Sequence, residues 1–195
     1  MSLGKFENAL IEYSDNAGKS RFFVRRDYSM KRITSFRVGG NADMVVYPSD
    51  AKSFAFALNL AKEMGIPFIV IGNGSNTVAS DKGFRGVVFV TTNMRYVKID
   101  GEYMTVGCGC LLGSVGTNAS TAGLSGAEFA NGIPGTPISV AYTPSLPDDR
   151  LSVSSNDTQV EIKEKVLFIL NTDRLPAPCG EYIQLIVLAD FSLRK

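Results

Sequence analysis

Apolar runs and helical spacing alternate along the first part of the chain. Residues 43–47 (DMVVY) and 67–71 (PFIVI) are short apolar runs bounded by turn residues, a pattern typical of buried strands. Between them, apolar side chains recur at helical spacing at Phe54, Ala57, Leu58, Ala61 and Met64. Ser49 or Asp50 is expected to cap this helix, and Gly65 is expected to end it. A strand, a helix and a strand in this order predict a βαβ unit.

The residues before this unit carry a weaker pattern. Residues 1–30 are mixed and charged, and they are interpreted as an N-terminal arm with a short helix at FENALIEY (6–13). The next segment, ITSFRVGG (33–40), is strand-like and ends in a pair of glycines. The first part of the chain therefore predicts an arm, a strand and then the βαβ unit.

Hairpin and turn signals follow. VVFV (87–90) predicts a strand, and YVKIDGEYMTV (96–106) predicts a hairpin that turns at its Asp-Gly dipeptide. Residues 110–126 predict a helix that ends near Gly123, although internal glycines weaken it. The prolines and glycines of GIPGTP (132–137) exclude regular structure there.

The C-terminal part regains a strand pattern after a polar stretch. Residues 143–159 are polar and rich in turn-forming residues. In residues 183–193, apolar side chains alternate with other residues, as expected for a strand with one apolar face. That face consists of Ile183, Leu185, Val187, Ala189, Phe191 and Leu193.

The composition is ordinary for a soluble globular protein. Of 195 residues, 45% are hydrophobic and 20% are charged, which predicts one domain or two small lobes. The formal net charge of +1 makes neither nucleic acid nor a membrane surface an expected partner. No apolar run approaches the roughly 20 residues of a membrane helix, and MSLGKFENAL does not resemble a signal peptide.

The chain lacks histidine, which excludes Ser-His-Asp and Cys-His catalysis and histidine metal sites. Three cysteines, Cys108, Cys110 and Cys179, are too few for a four-ligand zinc site, so no metal is predicted. Their odd number favours a reducing cytoplasm over a disulfide framework, and Cys108 and Cys110 are interpreted as buried thiols. Catalysis must therefore rely on carboxylates, hydroxyls, thiols, Lys or Arg, or on a cofactor.

One candidate for ligand binding is the loop IGNGSN (71–76), which follows a predicted strand. Glycines on both sides of Asn73 allow the backbone to approach a ligand, and Ser75 and Asn76 add polar side chains. Successive backbone N–H groups in such a loop can bind a diphosphate. The loop matches neither the P-loop nor the dinucleotide-binding fingerprint, and a tight surface turn is the alternative interpretation.

A second candidate is GIPGT (132–136), in which proline stiffens a loop between two glycines. It could line a pyrophosphate or a planar ring, and an ordinary Pro-Gly turn is the alternative. Arg37 could meet a phosphate or lie on a solvated face. The carboxylates Asp43, Glu102 and Glu128 form no evident catalytic pair.

Four motifs, taken together and in order, resemble the UDP-N-acetylenolpyruvoylglucosamine reductase family. They are ITSFRVGGNADMVVYP, PFIVIGNGSN, SDKGFRGVV and GLSGAEFANGIPGT, and the likeness covers about residues 30–136. The resemblance implies an α+β, two-lobed FAD-binding fold of the vanillyl-alcohol-oxidase type. An N-terminal βαβ lobe is expected at residues 1–72 and a second, mixed-sheet lobe at 73–195, with the family's C-terminal substrate-binding domain absent.

The resemblance also implies a function. Such enzymes use NADPH and FAD to reduce UDP-N-acetylglucosamine enolpyruvate to UDP-N-acetylmuramate, a cytoplasmic step of peptidoglycan synthesis. The expected partner is thus a small UDP-sugar. The cofactor-binding residues implied are Arg37, with Val38 beside it, Gly72, Asn73, Gly74, Ser75, Asn76 and Thr77 for the FAD diphosphate, and Gly132, Ile133, Pro134, Gly135 and Thr136 for the flavin.

The chain departs from the family after Thr136. PISVAYTPSLPDD (137–149) replaces a glycine- and alanine-rich stretch, and Ile169 to Asn171 replace a Tyr and an Arg, for which Arg174 is only a stand-in. The resemblance assigns no catalytic residue to this chain. A flavin-binding module without activity therefore stands as the alternative to a reductase.

Overall fold

The computed structural model describes residues 3–101, 103–124, 130–132 and 134–137, and the backbone of the strands at 161–162, 166–169, 185–188 and 191–192. The chain divides into two compact units, Met1–Met94 and Arg95–Lys195. The family resemblance implies lobes at residues 1–72 and 73–195, and these bounds remain a prediction. The strand at 84–90 is hydrogen-bonded inside the sheet of the first unit.

The first unit is a four-stranded sheet with two α-helices. Its elements are α1 (Leu3–Asn16), β1 (Phe22–Ser29), β2 (Asn41–Pro48), α2 (Ala51–Glu63), β3 (Phe68–Ile71) and β4 (Phe84–Val90). The strand order is β1-β2-β4-β3, with β1 antiparallel to β2 and with β2, β4 and β3 parallel. The predicted βαβ unit is confirmed as β2, α2 and β3, and β4 lies between its two strands.

Two expectations for the start of the chain are wrong. The N-terminal arm contains the strand β1, whose exposed and charged middle residues hide its pattern because it lies at the sheet edge. Residues 33–40 form turns and irregular backbone instead of a strand. Arg37 and Gly39 have φ of 54° and 110°, values that a β-strand does not contain. The predicted helix at 6–13 is confirmed within the longer α1.

Helix α2 begins and ends where the sequence predicts. Asp50 is the N-cap, and its carboxylate accepts a hydrogen bond from the Ser53 N–H at 2.9 Å. The Ser53 hydroxyl oxygen accepts a hydrogen bond from the Asp50 N–H at 3.3 Å, which completes a capping box. Gly65 follows the helix with φ of 61°, a conformation that glycine adopts without strain. The buried face contains Phe54, Ala57, Leu58 and Ala61, as its spacing predicts.

The core of the first unit covers both faces of the sheet. On one face, the Phe89 ring of β4 contacts the rings of Phe6, Phe54 and Phe68, with centroids 5.8 to 6.5 Å apart. On the other face, strand residues whose side chains point away from Phe89 pack against the segment that follows β1 and form a second buried cluster. Its members are Met30, Ile33, Ala42, Val45, Ile71, Val88 and Val90.

The second unit begins with the predicted hairpin. Strands β5 (Val97–Asp100) and β6 (Tyr103–Val106) are antiparallel and turn at Gly101, which has φ of 59°. Helix α3 (Leu112–Thr121) ends just before Gly123, whose φ of 68° is typical of a residue after a helix. The buried members of this core are Met104, Val106, Cys110, Val115, Ala119 and Leu124.

The remaining described strands form antiparallel pairs. They are β7 (Glu161–Ile162), β8 (Val166–Ile169), β9 (Leu185–Leu188) and β10 (Phe191–Ser192). Strand β8 pairs with β9, and β7 pairs with β10. The predicted strand at 183–193 is found as β9 and β10, and its other residues lie outside the described part of the chain. Among the described residues, no helix is long and apolar enough to cross a membrane.

Candidate functional site

The first candidate loop, residues 72–77, leaves the end of β3 directly. Gly72 and Gly74 are buried, and Asn76 is exposed. Gly74 has φ of 67°, and the Ser75 N–H donates to the Asn73 side-chain oxygen at 3.4 Å. The loop is thus a compact turn whose conformation depends on glycine, as expected from its sequence.

The Ser75 hydroxyl is the most informative group of this loop. Its oxygen is buried and has no hydrogen-bond partner among the described residues. A buried hydroxyl without a partner costs free energy, so such groups in native proteins call for an explanation. A ligand oxygen that accepts from Ser75 would provide the missing hydrogen bond, which fits the diphosphate of FAD.

The segment 33–40 packs against this loop. The Ser35 N–H donates to the Gly74 carbonyl at 2.9 Å, and a Cβ on Gly74 would collide with the Ile33 carbonyl oxygen. Arg37 is exposed, and its guanidinium has no carboxylate within ion-pair distance in the described part of the chain. Arg37 therefore belongs to a segment that contacts a loop suited to an anion.

The second candidate loop lies in the other unit and is anchored to α3. The Gly135 carbonyl accepts from the Leu112 N–H at 3.1 Å, so it satisfies the first turn of a helix without a side-chain cap. Gly135 and Thr136 are buried, whereas Gly132 and Pro134 are exposed. Ile133 lies outside the described residues.

This loop also uses a glycine of α3. A Cβ on Gly116 would lie 2.8 Å from the Asn131 side-chain oxygen, so a larger residue there would require the Asn131 side chain to move. Asn131 directly precedes the predicted GIPGT motif. The internal glycine that weakens the prediction of α3 is therefore a packing residue.

The two described cysteines are buried, as the sequence predicts. Neither Cys108 nor Cys110 forms a disulfide within the described part of the chain. Burial raises the pKa of the Cys110 thiol, and the sulfur donates a hydrogen bond to the Tyr96 carbonyl at 3.3 Å. Cys110 is therefore a neutral, inert thiol at neutral pH. Cys179 lies outside the described residues.

The candidate acidic residues add no catalytic pair. Asp43 forms an ion pair with Arg85 at 2.6 Å, and Arg85 also donates to the Asn41 carbonyl at 2.6 Å, so Asp43 has a structural partner. Glu102 and Glu128 lie outside the described part of the chain. Within that part, no group of three or more Cys, Asp or Glu side chains is placed to hold a metal ion.

A model of a protein family described as an FAD binding domain matches residues 42–144, which is just over half of the chain. The chain belongs to the FAD-binding domain family. Both candidate loops, 72–77 and 132–136, fall inside the match, and Arg37 precedes it. This membership and the observed mixed sheet with its helices confirm the α+β FAD-binding fold of the vanillyl-alcohol-oxidase type.

Curated relatives of this FAD-binding domain are named UDP-N-acetylenolpyruvoylglucosamine reductase. One, from Caldicellulosiruptor bescii, is 43% identical over 111 residues, which cover 57% of this chain and 35% of the relative. Another, from Clostridium botulinum, is 30% identical over 174 residues, which cover 89% of this chain and 56% of the relative. These relatives confirm the resemblance to the FAD-binding part of that reductase.

A solved reductase of this kind from Thermus caldophilus is 32% identical, with a TM-score of 0.47 over 59% of this chain and 40% of that one. The chain spans between about a third and just over half of the length of these curated relatives.

Sequence reasoning did not identify the residues that hold the first loop in place. Ser35, Gly40 and Gly83 contact the chain around it through backbone atoms. The glycine pair at 39–40 and the glycine of SDKG (80–83) were the available signals. Only the fold shows that these glycines face each other.

Proposed function

We propose that this FAD-binding domain serves a reductase that forms UDP-N-acetylmuramate from UDP-N-acetylglucosamine enolpyruvate, with NADPH as the reductant. The step belongs to peptidoglycan precursor synthesis in the cytoplasm, and the small-molecule partner is a UDP-sugar. The family match over residues 42–144 and the names of the curated relatives support this proposal.

The observation that carries the cofactor assignment is the buried Ser75 hydroxyl without a described partner. It lies in a glycine-rich turn after a parallel strand, next to Gly74, which is buried against the backbone of Ile33 and Thr34. A diphosphate oxygen offers the acceptor that this hydroxyl lacks, and backbone N–H groups of such a turn favour an anion. Gly72 to Thr77 would hold the diphosphate.

Two further groups complete the proposed cofactor contacts. The Arg37 guanidinium would neutralise phosphate charge, because it has no acidic partner in the described part of the chain. The loop from Gly132 to Thr136 would line the flavin ring, since proline and the contact with α3 make it stiff. Bound FAD supplies the hydride-transfer chemistry, so the chain's own task is to bind, orient and shield it.

A flavin-binding module without turnover is the second candidate. One observation favours it: the residues after Thr136 depart from the family pattern. No residue of this chain has an assigned role as a proton donor. Such a module would retain FAD and fail to oxidise NADPH in the presence of the enolpyruvyl sugar.

The decisive experiment titrates the purified chain and its Ser75→Ala variant with FAD. We expect the wild type to retain the visible flavin band through desalting. Loss of one hydrogen bond to a charged group predicts about tenfold weaker FAD binding by the variant. Ser120→Ala is the matched control, because Ser120 is an exposed serine of α3, and it should bind as the wild type does.

The outcomes separate the candidates. Wild-type protein that retains no flavin at high FAD concentration contradicts both of them. Flavin retention with equal affinity in the Ser75→Ala variant contradicts the role given to the hydroxyl. NADPH oxidation that depends on the enolpyruvyl sugar distinguishes the reductase from the inactive module.

A further inference from the structure

Residues 33–41 and residues 74–83 form a line of backbone contacts, called here the glycine seam. We propose that the segment 33–40 is a template that sets the backbone of the diphosphate loop through this seam. Gly40 then acts as a positioning residue for FAD binding. The inference rests on the proposed function for its effect on FAD, while the template itself is a property of the folded chain.

One end of the seam holds Gly74. The Ser35 N–H donates to the Gly74 carbonyl at 2.9 Å. A Cβ on Gly74 would collide with the Ile33 carbonyl oxygen and lie 2.9 Å from the Thr34 Cα, so backbone touches backbone here. Because Ser75 is the next residue, this contact determines where the unpartnered hydroxyl lies.

The other end of the seam holds the chain that leaves the loop. The Gly40 N–H donates to the Ser80 carbonyl at 2.8 Å, and a Cβ on Gly40 would collide with the Asp81 carbonyl oxygen. A Cβ on Gly83 would collide with the Asn41 carbonyl oxygen. The loop is therefore held at both ends by glycines that leave no room for a side chain.

Hydrogen bonds to Met30 hold both ends of the segment 33–40 in place. The buried Thr34 hydroxyl donates to the Met30 carbonyl at 3.1 Å, and the Met30 N–H donates to the Gly40 carbonyl at 3.0 Å. Met30 and Ile33 also belong to the buried cluster under the sheet. A segment fixed to the core in this way can impose its shape on the loop that it contacts.

The test compares Gly40→Ala with Gly18→Ala. Gly40 has no positive φ, so alanine there introduces the backbone collision alone, whereas Gly18 has φ of 67° with nothing within 4 Å of a Cβ. We expect hydrogen exchange of the 72–80 amides to rise about tenfold or more in Gly40→Ala and to stay at the wild-type rate in Gly18→Ala. FAD binding should weaken by a similar factor in Gly40→Ala only.

Each result decides the proposal. Unchanged exchange of the loop in folded Gly40→Ala, or an equal change in Gly18→Ala, overturns the template. Faster exchange with unchanged FAD affinity overturns its role in FAD binding. If the wild type binds no FAD, the proposed function fails, and the exchange comparison still decides the template.

If Gly40→Ala does not fold, hydrogen exchange of the wild-type protein tests the proposal instead. The Ser35 and Gly40 N–H groups donate across the two ends of the seam. If the seam opens as one cooperative unit, the Ser35 and Gly40 N–H groups exchange their hydrogens through the same opening. Their exchange rates then have the same dependence on added urea. Two independent openings with different urea dependence overturn the proposal.

Discussion

At the residue scale, the Asp50 carboxylate joins the start of α2 to the residues before β1. It accepts from the Ser53 N–H, and it pairs with Arg21 at 2.6 Å. Partial burial by itself would raise the pKa of Asp50, but the hydrogen bonds from Ser53, Arg21 and Ser49 outweigh it and lower the pKa. The charged form is thus the one that stabilises the fold.

We expect Asp50→Ala to lower the free energy of unfolding by about 1–2 kcal/mol at pH 7, the usual cost of losing an N-cap. Asp50→Asn should cost less, because asparagine still caps the helix and only the ion pair is lost. Since the folded pKa is depressed, the charge stabilises above the unfolded pKa of about 4 and its effect disappears as pH falls through the folded pKa. Urea unfolding at several pH values measures this.

The pH dependence supplies the control. The difference in stability between the wild type and Asp50→Asn should shrink toward zero in acid, while the cost of Asp50→Ala should persist in part as a lost cap. A difference between wild type and Asp50→Asn that is constant from neutral pH to acid would contradict the assignment.

At the element scale, β4 connects the helices of the first unit to its sheet. The strand lies between β2 and β3, and its Phe89 ring contacts rings from α1, α2 and β3. Phe89 is completely buried. One side chain therefore contributes to the packing of both helices.

Phe89→Ala should destabilise the protein by about 3–5 kcal/mol, because it leaves a cavity that three other rings line. Phe23→Ala on β1 is the matched control, since the Phe23 side chain is 48% exposed and should cost far less. Chemical unfolding of both variants measures the difference. An equal loss of unfolding free energy in the two variants would show that Phe89 of β4 is not central to the packing of the first unit.

A comparison of α2 with β1 shows which sequence signals are sufficient to predict an element. Helix α2 has an apolar face, a capping residue and a terminal glycine, and the sequence alone places it within a residue or two. Strand β1 has none of these, because Arg25, Arg26 and Asp27 occupy an exposed edge where polar side chains are tolerated. Its existence follows from pairing with β2, which is a long-range contact.

At the scale of the whole molecule, the proposed binding of FAD bears on the stability of the fold. A ligand that binds only the folded chain stabilises it in proportion to the logarithm of its concentration. Cofactor binding and stability are therefore expected to be linked.

We expect the thermal unfolding midpoint to rise steadily with the logarithm of FAD concentration. The gain in stability should reach about 2.7 kcal/mol at a concentration one hundred times the dissociation constant. Riboflavin is the control ligand, since it has the same ring and no diphosphate, and it should give a much smaller shift. Equal shifts with riboflavin and FAD would contradict the role of the diphosphate loop.

Features that depend on neighbouring residues could be predicted from the amino-acid sequence. These are the βαβ order, the ends of α2 and α3, the hairpin turn before β6 and the two glycine-rich loops, since spacing and local backbone preference dictate them. Features that depend on residues far apart in the sequence follow only from the folded chain. It paired β1 with β2, placed β4 inside the first sheet, and set Gly40 and Gly74 against backbone from another part of the chain, because packing brings together atoms whose sequence neighbours give no sign of the contact.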